Sequence, residues 1–388
     1  MSGTTVMLLR STDTGAPRLS GTAGDITTLL DACLVNGYNS RTLTSITRSG
    51  TTATATFNAH GYAADGLSKI QISGANETEY NGTFIITNVT TNTFDFTVTG
   101  TPATPATGTI TSVVAPLGWG KSFSGTNLAA YRSNEGTSTR LYLRVDDTGT
   151  TSARVRGYEA MTDVNTGTGL FPTDAAQAGG LYISKSDVAT TAARKWVLVG
   201  DGFEFHFFYV CNSLSYDNIY RQFHFGDPAS EMASDPYGCL IYGDTAASLA
   251  APSTGSTTCL IQTSPSLSVF PGFYFARNYT QIGTSAGASL HGNYTLGSGS
   301  IGASTSPLTY PSPANNGLYV APLFVADTLV VRAQLKGIYQ PLQIRPFGNG
   351  TILAANVSPI NRRIYTIATA YTSTVPGETH VDIDGPWR

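Results

Sequence analysis

Residues 15–37 read GAPRLSGTAGDITTLLDACLVNG, and within them Ile26, Leu29, Leu30, Cys33 and Leu34 fall at i, i+3, i+4, i+7 and i+8, one apolar face of an α-helix. Asp25 stands where an N-cap carboxylate would accept the first free amides, and Asn36-Gly37 supplies a left-handed stop. A single helical face of this size does not hold a helix in water, so it must dock on something larger. The expectation is a helix whose five apolar residues are buried, within the subunit or against a neighbour. Around it the chain is patterned for strands, which makes the fold class mainly β with one N-terminal helix.

Composition narrows the function. Only 12% of the 388 residues are charged, the net charge is −3, and 41 glycines accompany abundant Ser and Thr. A surface polar by hydroxyl rather than by charge offers no basic field for phosphates, so nucleic acid is not expected as a partner. The 20 Tyr and 17 Phe, set in alternating runs, argue for a folded chain. Such a surface suits a protein largely covered by neighbouring subunits. The apolar run Val6–Leu9 is too short for a signal segment or a membrane span, so synthesis in a cytoplasm without membrane insertion is expected. Cys33, Cys211, Cys239 and Cys259 do not form a compact zinc motif. A Cys239–Cys259 disulfide stays open by spacing, although a cytosol would keep both thiols reduced.

Three regions follow from the texture. Residues 1–44 hold an N-terminal strand and the helix, as part of a main β domain. Residues 45–114 read as short strands at Thr51–Phe57, Lys69–Ser73, Thr83–Val89, Thr93–Val98 and Gly108–Val113, an inserted small all-β module of barrel or immunoglobulin-like type. Residues 115–388 are a series of hairpins, expected to form an antiparallel sandwich or jelly-roll-like domain. Among them Lys195–Gly200 and Phe203–Val210 flank Asp201-Gly202, a strong hairpin signal. The stretches 243–258 and 283–316 read as long Gly/Ser/Thr-rich loops of the kind that a partner orders.

Strings that imitate enzyme motifs lack their context. Ala115-Pro-Leu-Gly-Trp-Gly-Lys121-Ser122 has no first glycine and no strand–loop–helix frame. Gly297–Gly302 has dinucleotide spacing but no following helix, and Gly283-Thr-Ser285-Ala-Gly287 lacks the helix that a nucleophile elbow requires. His60, His206, His224, His291 and His380 form no i, i+4 pair, so spacing supports no metal site and no cofactor. Asp146-Asp147 and Asp382/Asp384 read as structural carboxylates, and no catalytic residue is assigned. One constellation stands out. Strand parity places Arg140, Tyr142 and Arg144 on one face of a strand and Arg154, Arg156 and Tyr158 on one face of the next. Such an Arg/Tyr cluster fits either a solvated face or a subunit interface.

The quoted helix region, continued to Thr42, resembles a family of virion structural proteins of tailed bacteriophages. The resemblance extends through GWGKSFSGTNLAAYRS (residues 118–133), RLYLRVDDTGTTSARVRGYEAMTDVNTGTGLFP (140–172), GGLYISKSD (179–187), RKWVLVGDGFEFHFF (194–208), DPYGCLI (235–241) and VDIDGPWR (381–388). The 45–114 segment is similar to small β modules recurrent in phage tail proteins. The resemblance implies a non-catalytic tail, baseplate or head–tail collar subunit, located in the virion after synthesis in the bacterial cytoplasm. Its partners would be copies of itself, closing into a symmetric ring, and other virion proteins. Alternatives are a host-surface glycan adhesin using Tyr279, Tyr294, Tyr310 and Tyr319, a capsid decoration protein and, last, a polysaccharide depolymerase, which more often shows repeats absent here.

Overall fold

The computed structural model describes residues 5–211, 220–232, 234–247, 272–291, 310–328, 330–343, 347, 349–355, 359–368 and 378–388. Four antiparallel sheets account for the described strands, one each of 13, 6, 4 and 3 strands, together with one helix. The protein is mainly β, in a sandwich-like arrangement. Among the described residues no helix is long and apolar enough to cross a membrane.

The largest sheet runs mostly between sequence neighbours. It starts from Met7–Arg10 and proceeds through Trp196–Gly200, Glu204–Tyr209, Arg221–Gly226, Leu240–Tyr242 and Phe273–Phe275 to Ala286–His291, Val320–Asp327 and Val330–Pro341. It ends through Glu378–Asp382, Ile364–Ala368 and Ile352–Leu353. The strand Ala286–His291 lies inside the stretch read as loop. Its Ala288 and Leu290 point into the core while Gly287 and Ser289 alternate with them, a period-2 pattern that small residues concealed. Residues 248–258 and 292–309 of the two expected loops, with Tyr294 and the 297–302 glycine string, lie outside the described residues, as do residues 259–271 with Cys259.

The central strands Trp196–Gly200, Glu204–Tyr209 and Arg221–Gly226 are buried at every position. Both faces are therefore covered. Leu198, Phe205, Phe207, Phe223 and Phe225 belong to an apolar core shared with the helix, whereas Val197, Val199 and Phe208 pack on the opposite side with Leu335, Ile338, Val381 and Trp387. Polar residues within these strands have no water to turn to and must find partners inside.

The 45–114 segment folds as two small sheets. Ser45–Ser49, Thr52–Thr56 and Thr93–Thr97 form one, and Gly108–Val114, Lys69–Ala75 and Gly82–Ile85 form the other with Tyr38–Thr42. The second sheet thus begins before residue 45, immediately at the end of the helix. Ile46, Phe94 and Phe96 are part of the same contiguous core as Leu29 and Phe205.

Candidate functional site

The helix occupies Asp25–Leu30 and continues as a wider turn over Asp31–Asn36, closed by the Gly37 amide donating to Ala32 O at 2.9 Å. Ile26, Leu29, Leu30, Cys33 and Leu34 are all fully buried. Gly37 ends it with φ +74° and ψ 177°, an extended glycine conformation rather than the expected left-handed helical one, and a Cβ there would meet Val114 O at 2.5 Å. The cap differs from the expectation. Gly24, at φ +89°, precedes the helix, and Asp25 lies inside the first turn with its carboxylate taken by Ser20 Oγ at 2.5 Å. The carboxylate that caps the helix is Asp147, whose Oδ2 accepts the Ile26 and Thr27 amides at 2.7 and 3.4 Å. Its Oδ1 accepts from Lys185 Nζ, which also donates to Thr22 O at 2.6 Å, and both side chains of this pair are inaccessible. Burial pushes the Asp147 carboxyl up to about 6, against the opposing pull of Lys185 and the helix amides.

The arginine face forms from Tyr142 onward, whereas Arg140 lies before the strand at φ +56° and is not placed by strand parity. Tyr142 lies opposite Tyr158, Arg144 opposite Arg156, and Asp146 opposite Arg154. Two facing guanidiniums repel unless each has its own acceptor. Arg144 donates from Nε to Val164 O at 2.7 Å and from Nη2 to Asn165 Oδ1 at 3.1 Å, and Arg156 reaches Gly179 O at 3.1 Å and Asp174 Oδ1 at 2.7 Å. These two side chains hold adjacent loops of their own chain. Arg140 and Arg154 are exposed, the latter stacked 5.8 Å from the Tyr182 ring.

A second constellation comes from register rather than sequence spacing. On the doubly covered sheet His206 lies directly across from His224, and Glu204 precedes His206 by two positions on the same face. All three are buried, and their ligand-capable atoms lie within 4.8 Å of one another. Glu204 Oε2 is 4.0 Å from His206 Nε2 and 3.9 Å from His224 Nε2, and none of these three atoms has a hydrogen-bond partner. Glu204 Oε1 accepts from Arg388 Nη2 at 2.8 Å, Gln222 Nε2 lies 3.0 Å from His206 Nδ1, and the Trp387 indole stands edge-on to His206. Burial holds both imidazoles neutral, pulling His224 down to about 3 with help from Arg388. Burial raises the carboxyls of Glu204, Asp201 and Asp227, with Arg388 opposing in each case. Two neutral imidazoles and a carboxylate are a donor set suited to a divalent ion. The spacing E-x-H followed by H became meaningful only with the strand register known, since Glu204–Tyr209 and Arg221–Gly226 pair across an intervening stretch that hides it.

The mimicked motifs have other structures. Lys121 and Ser122 sit on the strand Gly120–Gly125, and Ser285 leads into a strand rather than a helix. Cys33, Cys211 and Cys239 are buried free thiols.

No family model matches the chain, and no curated protein matches it. Among solved structures, a phage phi92 endosialidase is similar at 9% identity and a TM-score of 0.17, over 89% of this chain and 52% of that one. The chain spans about half the length of that structure, and backbones this divergent carry no argument about fold or role.

Proposed function

We propose that the chain is a structural subunit of a tailed-phage virion, a tail, baseplate or collar component assembling in several copies. The sequence resemblance supplies the class. The observation that carries it physically is the state of the sheet margins. Among the described residues the edge strands Gly82–Ile85, Gly167–Phe171 and Ile352–Leu353 contain no charged residue, whereas Met7–Arg10, Tyr38–Thr42, Ser45–Ser49, Thr93–Thr97 and Gly120–Gly125 carry one each. Ile85 is 50% exposed and Ile352 39%. Free-standing β proteins guard such edges with lysine, proline or bulges, because open edges pair with other chains.

The cations point the same way. Lysine occurs only at Lys69, Lys121, Lys185, Lys195 and Lys336, and the remaining cations are arginine, the composition of surfaces that become interfaces. Many arginines are already engaged within the chain, as in Arg332 with Asp235 and Arg277 with Glu159. Association therefore desolvates little free charge. Arg140 and Arg154 remain outward, available to a neighbour's carboxylates. Electron microscopy of the purified chain is expected to show discrete particles with rotational symmetry. Release of oligosaccharide from host polysaccharide by a monomeric chain would overturn the reading.

A further inference from the structure

We propose that Glu204, His206 and His224 bind one divalent transition-metal ion of the zinc class, buried beneath Arg388 and Trp387. Three observations converge on it. The donors are correctly typed and close, since one carboxylate oxygen and two imidazole nitrogens lie within 4.8 Å of one another and none of the three is hydrogen-bonded. Leaving three such atoms buried and unpaired carries a full desolvation penalty, which an occupant removes. An ion bound at about 2.0–2.1 Å would draw tetrahedral donors to about 3.3 Å, so the 3.9 and 4.0 Å separations need only a small closure.

Two of the three donors, Glu204 and His206, have an outer partner of the kind metal ligands use, and His224 Nδ1 has none. Glu204 uses its second oxygen for Arg388, leaving Oε2 for the ion. His206 meets the Gln222 amide at Nδ1, and Gln222 Oε1 is itself unpaired. With the amide turned, Oε1 accepts the Nδ1 proton and the lone pair of Nε2 faces the ion.

Around the site the Glu204 and Asp201 carboxyls face one cation, Arg388, which lies 2.8 Å from Glu204 Oε1 and 3.8 Å from Asp201 Oδ2 and meets Asp227 at its backbone O, at 2.7 Å. Arg388, whose guanidinium meets Glu204, also lines both neighbouring clefts, of about 460 and 490 Å³.

The test is metal content of the full chain, expressed with added Zn²⁺ or Co²⁺ and then dialysed. About one ion per chain is expected, with Co²⁺ giving visible ligand-field absorption. The His206→Gln/His224→Gln double variant should lose both. Arg388→Ala keeps every donor and should release the ion to chelator several-fold faster. Wild-type metal content no higher than that of the double variant, with melting unchanged by either ion, would overturn the proposal and leave a proton or a water between these groups.

Discussion

Lys69 shows how single residues are held in this fold. Its ammonium is buried and donates to Val6 O, and burial, with Arg363 adding to it, lowers its pKa from 10.5 to about 8. Below pH 8 the lysine is charged in both states and the fold bears the full cost. Between pH 8 and 10.5 the unfolded chain retains a proton that the folded chain has released, so the Lys69 contribution to stability rises with pH, by about 3 kcal/mol across the window. Lys69→Met should remove this rise, and chemical denaturation of both proteins from pH 7.5 to 10 checks it. A difference between them that does not vary with pH would contradict the account. Gly337 is a second tight point. It takes φ +84°, and a Cβ would lie 2.2 Å from the Trp387 ring. Gly337→Ala should destabilise by about 3 kcal/mol and displace the indole, read by tryptophan fluorescence.

At the scale of elements, the helix was legible where information is local and illegible where it is not. The 3.6-residue spacing of Ile26 through Leu34 foretells the buried face, and Gly37 foretells the stop. The cap is supplied by Asp147 from a hairpin far along the chain, so a nearby aspartate looked like the natural candidate. The histidine cluster was hidden for the same reason, since strand register is a tertiary fact. The pairing of Tyr142, Arg144 and Asp146 with Tyr158, Arg156 and Arg154 was readable from parity, but the turn that takes Arg140 out of the strand and the in-chain acceptors of Arg144 and Arg156 were not. Asp147→Ala should cost about 3–5 kcal/mol, because it strands the Lys185 charge and leaves helix amides unmet. The Asp147→Ala/Lys185→Met double variant should recover much of that loss in thermal melts. Losses that simply add would mean that the two groups do not act as a pair.

At the scale of the molecule, one contiguous core runs from the helix through Ile46 and Phe94 to Phe205, so the 45–114 segment is bound into the body rather than hung from it. Arg10 pairs with Asp65 at 2.6 Å and Arg363 donates to Gly66 O at 2.9 Å, fastening the same segment from two sides. The interior is closed and cross-linked, while three of the described edge strands, Gly82–Ile85, Gly167–Phe171 and Ile352–Leu353, carry no charge. That division of labour is what a repeated building block needs, and the mass of the full chain in solution tests it most directly. Native mass spectrometry should find a discrete multiple of 40.8 kDa, lowered in the Ile85→Lys/Ile352→Lys variant. A chain that stays at 40.8 kDa at every concentration would contradict it.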